Sequence, residues 1–271
     1  MKYLILLSFV ILSSACSRSG VMVRMFDDLA VSKADDYFEL TSKQREELKK
    51  DLQKDVDVAR KELLPQIAKS LRSIEPQINK EKLDSEVITT QMMEFQNYFK
   101  KLSSYFGETA VKTSLSLEPS QVFHFAKEVR EDIEDESESD AKEKVEKRYK
   151  KSVEFWIGGI SSAQKEKIQK FLKQNPYPSK LQNENKEYVL NQFLEAKKNP
   201  ETLKKFVKDF FNDYESVRLP AYTEALNNHK KAFQKFLVEE FWSTISKNQK
   251  ETLKENITSR AEDLENIAQY N

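Results

Sequence analysis

Leu40-Thr41-Ser42-Lys43-Gln44, running on into Arg45-Glu46-Glu47-Leu48, is the stretch whose reading decides the fold. Its pattern is a branched apolar residue, a hydroxyl, two variable residues and a glutamine. The pattern returns as Leu117-Glu118-Pro119-Ser120-Gln121, Ile160-Ser161-Ser162-Ala163-Gln164 and Ile245-Ser246-Lys247-Asn248-Gln249. A hydroxyl at the N-cap accepts from the amide three residues on, and a glutamine at that third position reaches back to the cap amide. Thr41, Ser161 and Ser246 fit the cap. In the second copy Glu118 takes it, with Pro119 at the first helical position, where a missing N–H costs nothing. Four helix starts are therefore fixed locally.

Each start opens an amphipathic run. After Thr41 the apolar positions are Leu48, Leu52, Val56, Ala59, Leu63, Ile67, Leu71 and Ile74, the three-and-four stepping of one helix face. Pro65 predicts a kink or break near Leu63-Leu64, and Glu75-Pro76 an end. Asp84 is positioned to cap a helix with the heptad-like stripe Ile88, Met92, Phe95, Phe99, Leu102, Phe106, which reads as core. Gly107 and the run from Thr113 to Glu118 read as a loop. Asn199 with Pro200 predicts another start, followed by the aromatic face Phe206, Phe210, Phe211, Tyr214. Asn175-Pro176-Tyr177-Pro178-Ser179 is a loop and the expected subdomain joint, near 175–180. No alternation of the strand type appears. The starts lie at 41, 118, 161 and 246, so their intervals of 77, 43 and 85 residues lack the fixed period of a solenoid. The expected fold is all-α: an elongated bundle of about seven to nine amphipathic helices without a sheet.

Composition agrees. The 271 residues include only four glycines, and 45 basic side chains balance 45 acidic ones. Without a net basic field, nucleic acid is not an expected partner. Seven acids fall within Glu131–Asp140, yet the run lacks the glycine and terminal acid of a calcium loop. It reads as a solvated acidic turn or helix face.

The N-terminus carries a location signal. Met1-Lys2 is a short positive segment, and Tyr3 to Leu12 an apolar run of roughly ten residues, in the range of a signal peptide and short of the about 20 needed to span a bilayer. Cys16, the only cysteine, closes Leu12-Ser13-Ser14-Ala15-Cys16, which resembles a bacterial lipobox although Ser13 stands where a branched apolar residue is usual. The expected organisation is a signal peptide over 1–15, a lipid-attached tether and arm over 16–40, and a helical domain over 41–271. Acylated Cys16 would hold the protein in the lipid bilayer. Ser17 after it resembles an outer-membrane sorting signal, with the protein facing the periplasm. Ser13 and Ala15 also suit ordinary signal peptidase, whose product would be a soluble periplasmic protein.

A search for chemistry yields little. His124 and His229 lack the i,i+4 partner of helical metal motifs, and no nucleophile elbow or phosphate-binding glycine loop occurs. No catalytic, metal-binding or cofactor-binding residue is assigned, and no cofactor is expected.

Asp35-Asp36-Tyr37-Phe38-Glu39-Leu40-Thr41-Ser42-Lys43-Gln44, shortly after the lipobox-like segment, resembles the opening of a family of uncharacterised bacterial lipoproteins. Leu64-Pro65, Lys147-Arg148, Phe155-Trp156-Ile157 and the later glutamine copies are similar to that family as well. The resemblance covers most of residues 21–267. It implies a helical architecture and an envelope location, and carries over no catalytic residues. A looser similarity links the chain to periplasmic stress chaperones that share the LTxxQ start. Asp35, Asp36, Tyr37, Thr41 and Gln44 form the candidate motif; the acids and Tyr37 exceed what capping needs and are expected to lock the arm onto the first helix. The expected role is non-catalytic, binding an envelope protein or stabilising the envelope. A chaperone-like binder of unfolded proteins and a cell-wall hydrolase are the competing expectations.

Overall fold

The computed structural model describes residues 26–134 and 138–269. The leader, Cys16 and the tether therefore lie outside the described residues. Among those described, every regular element is helical: α1 Phe26–Phe38, α2 Ser42–Arg72, α3 Glu75–Ile78, α4 Ser85–Ser104, α5 Gly107–Ser116, α6 Pro119–Glu134, α7 Glu138–Ile157, α8 Ser162–Gln174, α9 Ser179–Ala196, α10 Pro200–Asn212, α11 Pro220–Lys235 and α12 Lys247–Gln269. A 3₁₀ turn, Tyr214–Val217, precedes α11. A π segment, Phe236–Phe241, and a second 3₁₀ turn, Trp242–Thr244, follow it.

The all-α expectation is met, but the twelve α segments among the described residues exceed the seven to nine expected. Part of the excess is α5, where a loop was read. Gly107 makes no sharp turn there; it opens the helix, and a side chain at this position would meet Phe211 and Asn212 of α10 at ordinary contact distance. Pro65 does not break α2, which runs on to Arg72. The flanking Leu63, Leu64, Ile67 and Ala68 are all buried in one apolar cluster, and their burial outweighs the hydrogen bond that Pro65 cannot donate.

Three apolar clusters organise the helices. In the first, α2 packs along α12, joining Leu63, Ile67, Leu71 to Ile257, Ala261, Leu264 and Ile267. The helices run antiparallel: the Arg60 guanidinium donates to the Ile267 carbonyl at 3.2 Å, and Thr258 donates to Glu75, just past the end of α2, at 3.0 Å. In the second, Leu40, Leu48 and Leu52 meet Val111, Leu117, Phe193, Leu203 and Val207. In the third, Ile157, Ile160, Ile168 and Phe171 meet Phe236 and Phe241. The π segment lies here. Its wider turn changes the angular spacing, so Phe236 and Phe241, and Trp242 just after, are all buried.

The heptad-like stripe of α4 differs from its expectation. No residue of that helix is fully buried, although Phe95, Tyr98 and Leu102 lean on the first cluster. The helix lies at the periphery of the assembly, packed on α2 and α10.

Candidate functional site

The four capping motifs meet in two pairs. At α2, Gln44 Oε1 accepts from the Thr41 amide at 2.9 Å, and Thr41 Oγ1 accepts from the Gln44 amide at 3.3 Å. At α6, Gln121 Oε1 accepts from the Glu118 amide at 2.9 Å. Each glutamine then uses its Nε2 across the interface. Gln44 donates to the Ser116 carbonyl and to Gln121 Oε1 at 2.8 and 3.1 Å. Gln121 donates to the Glu39 carbonyl and to Gln44 Oε1 at 3.0 and 2.9 Å.

The starts of α8 and α12 repeat the arrangement. Gln164 and Gln249 accept from the amides of Ser161 and Ser246 at 2.9 and 3.0 Å. Gln164 Nε2 reaches the Thr244 carbonyl at 3.1 Å, and Gln249 Nε2 the Gly159 carbonyl at 2.8 Å. The two carboxamides exchange hydrogen bonds at 3.0 Å in both directions. In every copy the acceptor carbonyl lies two residues before the partner's cap. That carbonyl belongs to the turn entering the partner helix, so each glutamine ties two helix starts together. Gln121 and Gln164 are buried, and burial of a polar side chain is tolerable only because these bonds are made.

The candidate motif surrounds the first pair. Arg45 donates to Asp35 Oδ2 at 2.8 Å, while Asp35 Oδ1 is buried without a hydrogen-bond partner. The Asp36 side chain accepts from Lys33 at 3.0 Å and its carbonyl lies 3.2 Å from His124 Nε2. Tyr37 donates to Asp132 of α6 at 2.5 Å, and its ring meets Phe125 edge-on. Phe38 stacks on the same Phe125, centroids 4.6 Å apart. Glu39 takes a left-handed conformation, φ 47°, which turns the chain from α1 into the cap. Asp27 and Asp28 bind Gln53 and Lys49 further along α2. The arm is thus held on α2 and α6 by a polar ladder and an aromatic contact.

His124 joins this cluster, with Glu39 Oε1 at 3.6 Å from Nδ1 and Glu128 Oε1 at 3.9 Å from Nε2. Among the described residues no group of three or more His, Cys, Asp or Glu is placed to hold a metal ion. A shallow surface depression is lined by side chains of α12 alone, Glu251 to Glu262, so it does not bring groups together from different elements.

His229 is buried elsewhere, on α11. Its Nε2 lies 2.5 Å from the Tyr149 hydroxyl, and its ring meets Tyr177 and Tyr149 edge-on. Tyr177 bonds Tyr222 hydroxyl to hydroxyl at 3.2 Å, so the loop at 175–180 is pinned to α11. Burial lowers the His229 pKa and raises that of Tyr149. Sequence reasoning missed this cluster, because its members are brought together only by the packing of α7, α11 and the loop. The aromatic-rich segments Phe206–Tyr214 and Phe233–Trp242 are largely used internally: Phe236, Phe241 and Trp242 are buried, and Phe206, Phe211 and Phe233 pack against the clusters.

The fold and its polar ties define an all-helical protein built on paired glutamine-capped helix starts. No helix among the described residues is long and apolar enough to cross a membrane. The chain belongs to a family of unknown function, DUF6279, which matches residues 36–223. The match takes in the first three capping copies and ends before the fourth. Neither curated proteins nor solved structures include a significant match to the chain.

Proposed function

We propose that this protein is a non-catalytic component of the bacterial envelope, anchored through lipidated Cys16 in the outer membrane and facing the periplasm, where it binds another envelope protein. The anchoring half rests on the leader and on Leu12-Ser13-Ser14-Ala15-Cys16. Two acyl chains on that cysteine would hold it stably, since one is marginal. The binding half rests on Phe123, 74% exposed on the outer face of α6. Leu115, also exposed, lies just before α6. Aromatic side chains are the commonest anchors of protein interfaces. The inner face of the same helix carries Gln121 and Phe125, so the arm and the first glutamine pair would hold Phe123 in place.

The test is a photocrosslinker at position 123 in the membrane-anchored protein in its native cell. A discrete adduct that disappears in Phe123→Asp supports the reading, whereas no adduct at 123 removes the binding face. Palmitate labelling that persists in Cys16→Ala would remove the anchor. Turnover of peptidoglycan by the purified protein would replace the reading with a hydrolase.

A further inference from the structure

Where α4, the 3₁₀ turn Tyr214–Val217 and α11 meet, positive charge exceeds what the protein supplies to balance it. The Arg218 side chain is only 9% exposed. Its guanidinium lies over the Tyr214 ring, 4.4 Å from the centroid. Its Nε and Nη1 are buried without a hydrogen-bond partner. The nearest carboxylate, Glu215 Oε1, stands 3.7 Å from Nη1, beyond a hydrogen bond.

Lys230 projects from α11 into the same region and forms no ion pair among the described residues. Burial lowers its pKa, and the positive charges of Arg218 and Lys100 push it the same way against the pull of Glu215. Lys100, half-exposed on α4, pairs with Asp213 at 3.0 Å and reaches Glu215 at 3.8 Å. Three cations thus share two carboxylates, and the surplus lies with the nearly buried Arg218 side chain and the half-buried Lys230. Thr223 Oγ1, two turns before Lys230 on the same side of α11, is buried without a partner as well. Gln234 binds Thr89 and ties α11 to α4 beside this region.

A guanidinium whose buried Nε and Nη1 lack partners is costly, because the hydration of those groups is lost and Tyr214 and Glu215 replace it only in part. The half-buried Lys230 nearby adds repulsion. Both costs vanish when an oxyanion accepts from them, and a guanidinium matches the oxygen spacing of phosphate particularly well. We infer that Arg218 and Lys230, with Lys100 at the entrance, form a binding site for a phosphate-class oxyanion between α4 and α11. Lys100 can turn from Asp213 to the ligand, because it is the exposed member of the three. The site is independent of the face around Phe123, so either can fail without the other.

Calorimetric titration of the full chain with inorganic phosphate, at constant ionic strength against chloride, tests it. One saturable site is expected, with a matching rise in melting temperature. Arg218→Gln and Lys230→Met should each weaken binding about tenfold or more, as loss of a charged hydrogen bond does. Lys100→Gln should weaken it less. Circular dichroism checks that the variants fold, and Arg218→Lys keeps the charge should Arg218→Gln unfold. Glycerol phosphate binding tighter than phosphate identifies a lipid headgroup as the source, and the reverse order identifies free phosphate. Absence of saturable binding, or binding unchanged in both Arg218→Gln and Lys230→Met, overturns the site.

Discussion

Gln44 and Gln121 hydrogen-bond each other reciprocally, Nε2 of each donating to Oε1 of the other at 3.1 and 2.9 Å. Each oxygen also accepts from its own cap amide, and each nitrogen also donates to the chain entering the other helix. The side chains serve two purposes at once: they finish a helix N-terminus and they fix how two helices meet.

Removing Gln121 should therefore cost more than removing a cap. Gln121→Ala leaves the Glu118 amide and the Glu39 carbonyl without partners in a buried setting, a loss of about 2–3 kcal/mol. Gln44→Ala should cost less, since Gln44 is more exposed. A double-mutant cycle followed by urea unfolding should show a coupling of at least about 0.5 kcal/mol. Additive losses would mean that the mutual bond contributes nothing.

The caps themselves are ordinary. Thr41→Ala and Ser161→Ala should each lower stability by about 1 kcal/mol, while Thr41→Ser should lie within a few tenths of the parent. The same unfolding measurement separates these values from the larger effect at Gln121.

Two turns differ in the residue that occupies a left-handed position. Glu39 has φ 47° and Gly158 φ 78°. Glu39→Gly relieves the steric cost of a side chain there but adds freedom to the unfolded chain, so a net gain of about 0.5 kcal/mol is expected. Gly158→Ala should lose about 1 kcal/mol. Opposite signs in thermal unfolding are the check.

His229 makes stability depend on pH. Its folded pKa is lowered by burial from the usual 6.5. Above 6.5 the imidazole is neutral in both states and contributes no pH dependence. As pH falls below 6.5 the unfolded chain takes up a proton that the folded one resists, so stability drops until the folded pKa is passed. His229→Gln should flatten the stability profile as pH falls below 6.5, measured by denaturant midpoints. An unchanged slope would assign the effect to other groups.

The seam between α2 and α12 should be sensitive to cavities. Leu63 is fully buried there, and Leu63→Ala should cost about 2–5 kcal/mol. Ile168→Ala in the third cluster should cost a similar amount, which compares the two cores directly.

The sequence alone determined what depends on short range. Thr41, Asp84, Ser161, Asn199 and Ser246 act as caps because a cap and its amide lie within three residues of each other. The apolar stripe of α2 was legible because helical periodicity is a property of one segment, and Leu48, Leu52, Ala59, Leu63, Ile67 and Leu71 are all buried. The arm expected within residues 16–40 is helical over Phe26–Phe38 and packs on α2 and α6. Tertiary structure decided the rest. Gln44 finds Gln121 across 77 residues and Gln164 finds Gln249 across 85, which no local rule connects. Packing against α12 carried α2 through Pro65, α10 backed the helix that begins at Gly107, and the third cluster drew Phe236–Phe241 into a wider turn. The opening pattern marks a helix start by its own chemistry. It becomes a joint between helices only because packing brings a second copy to face it.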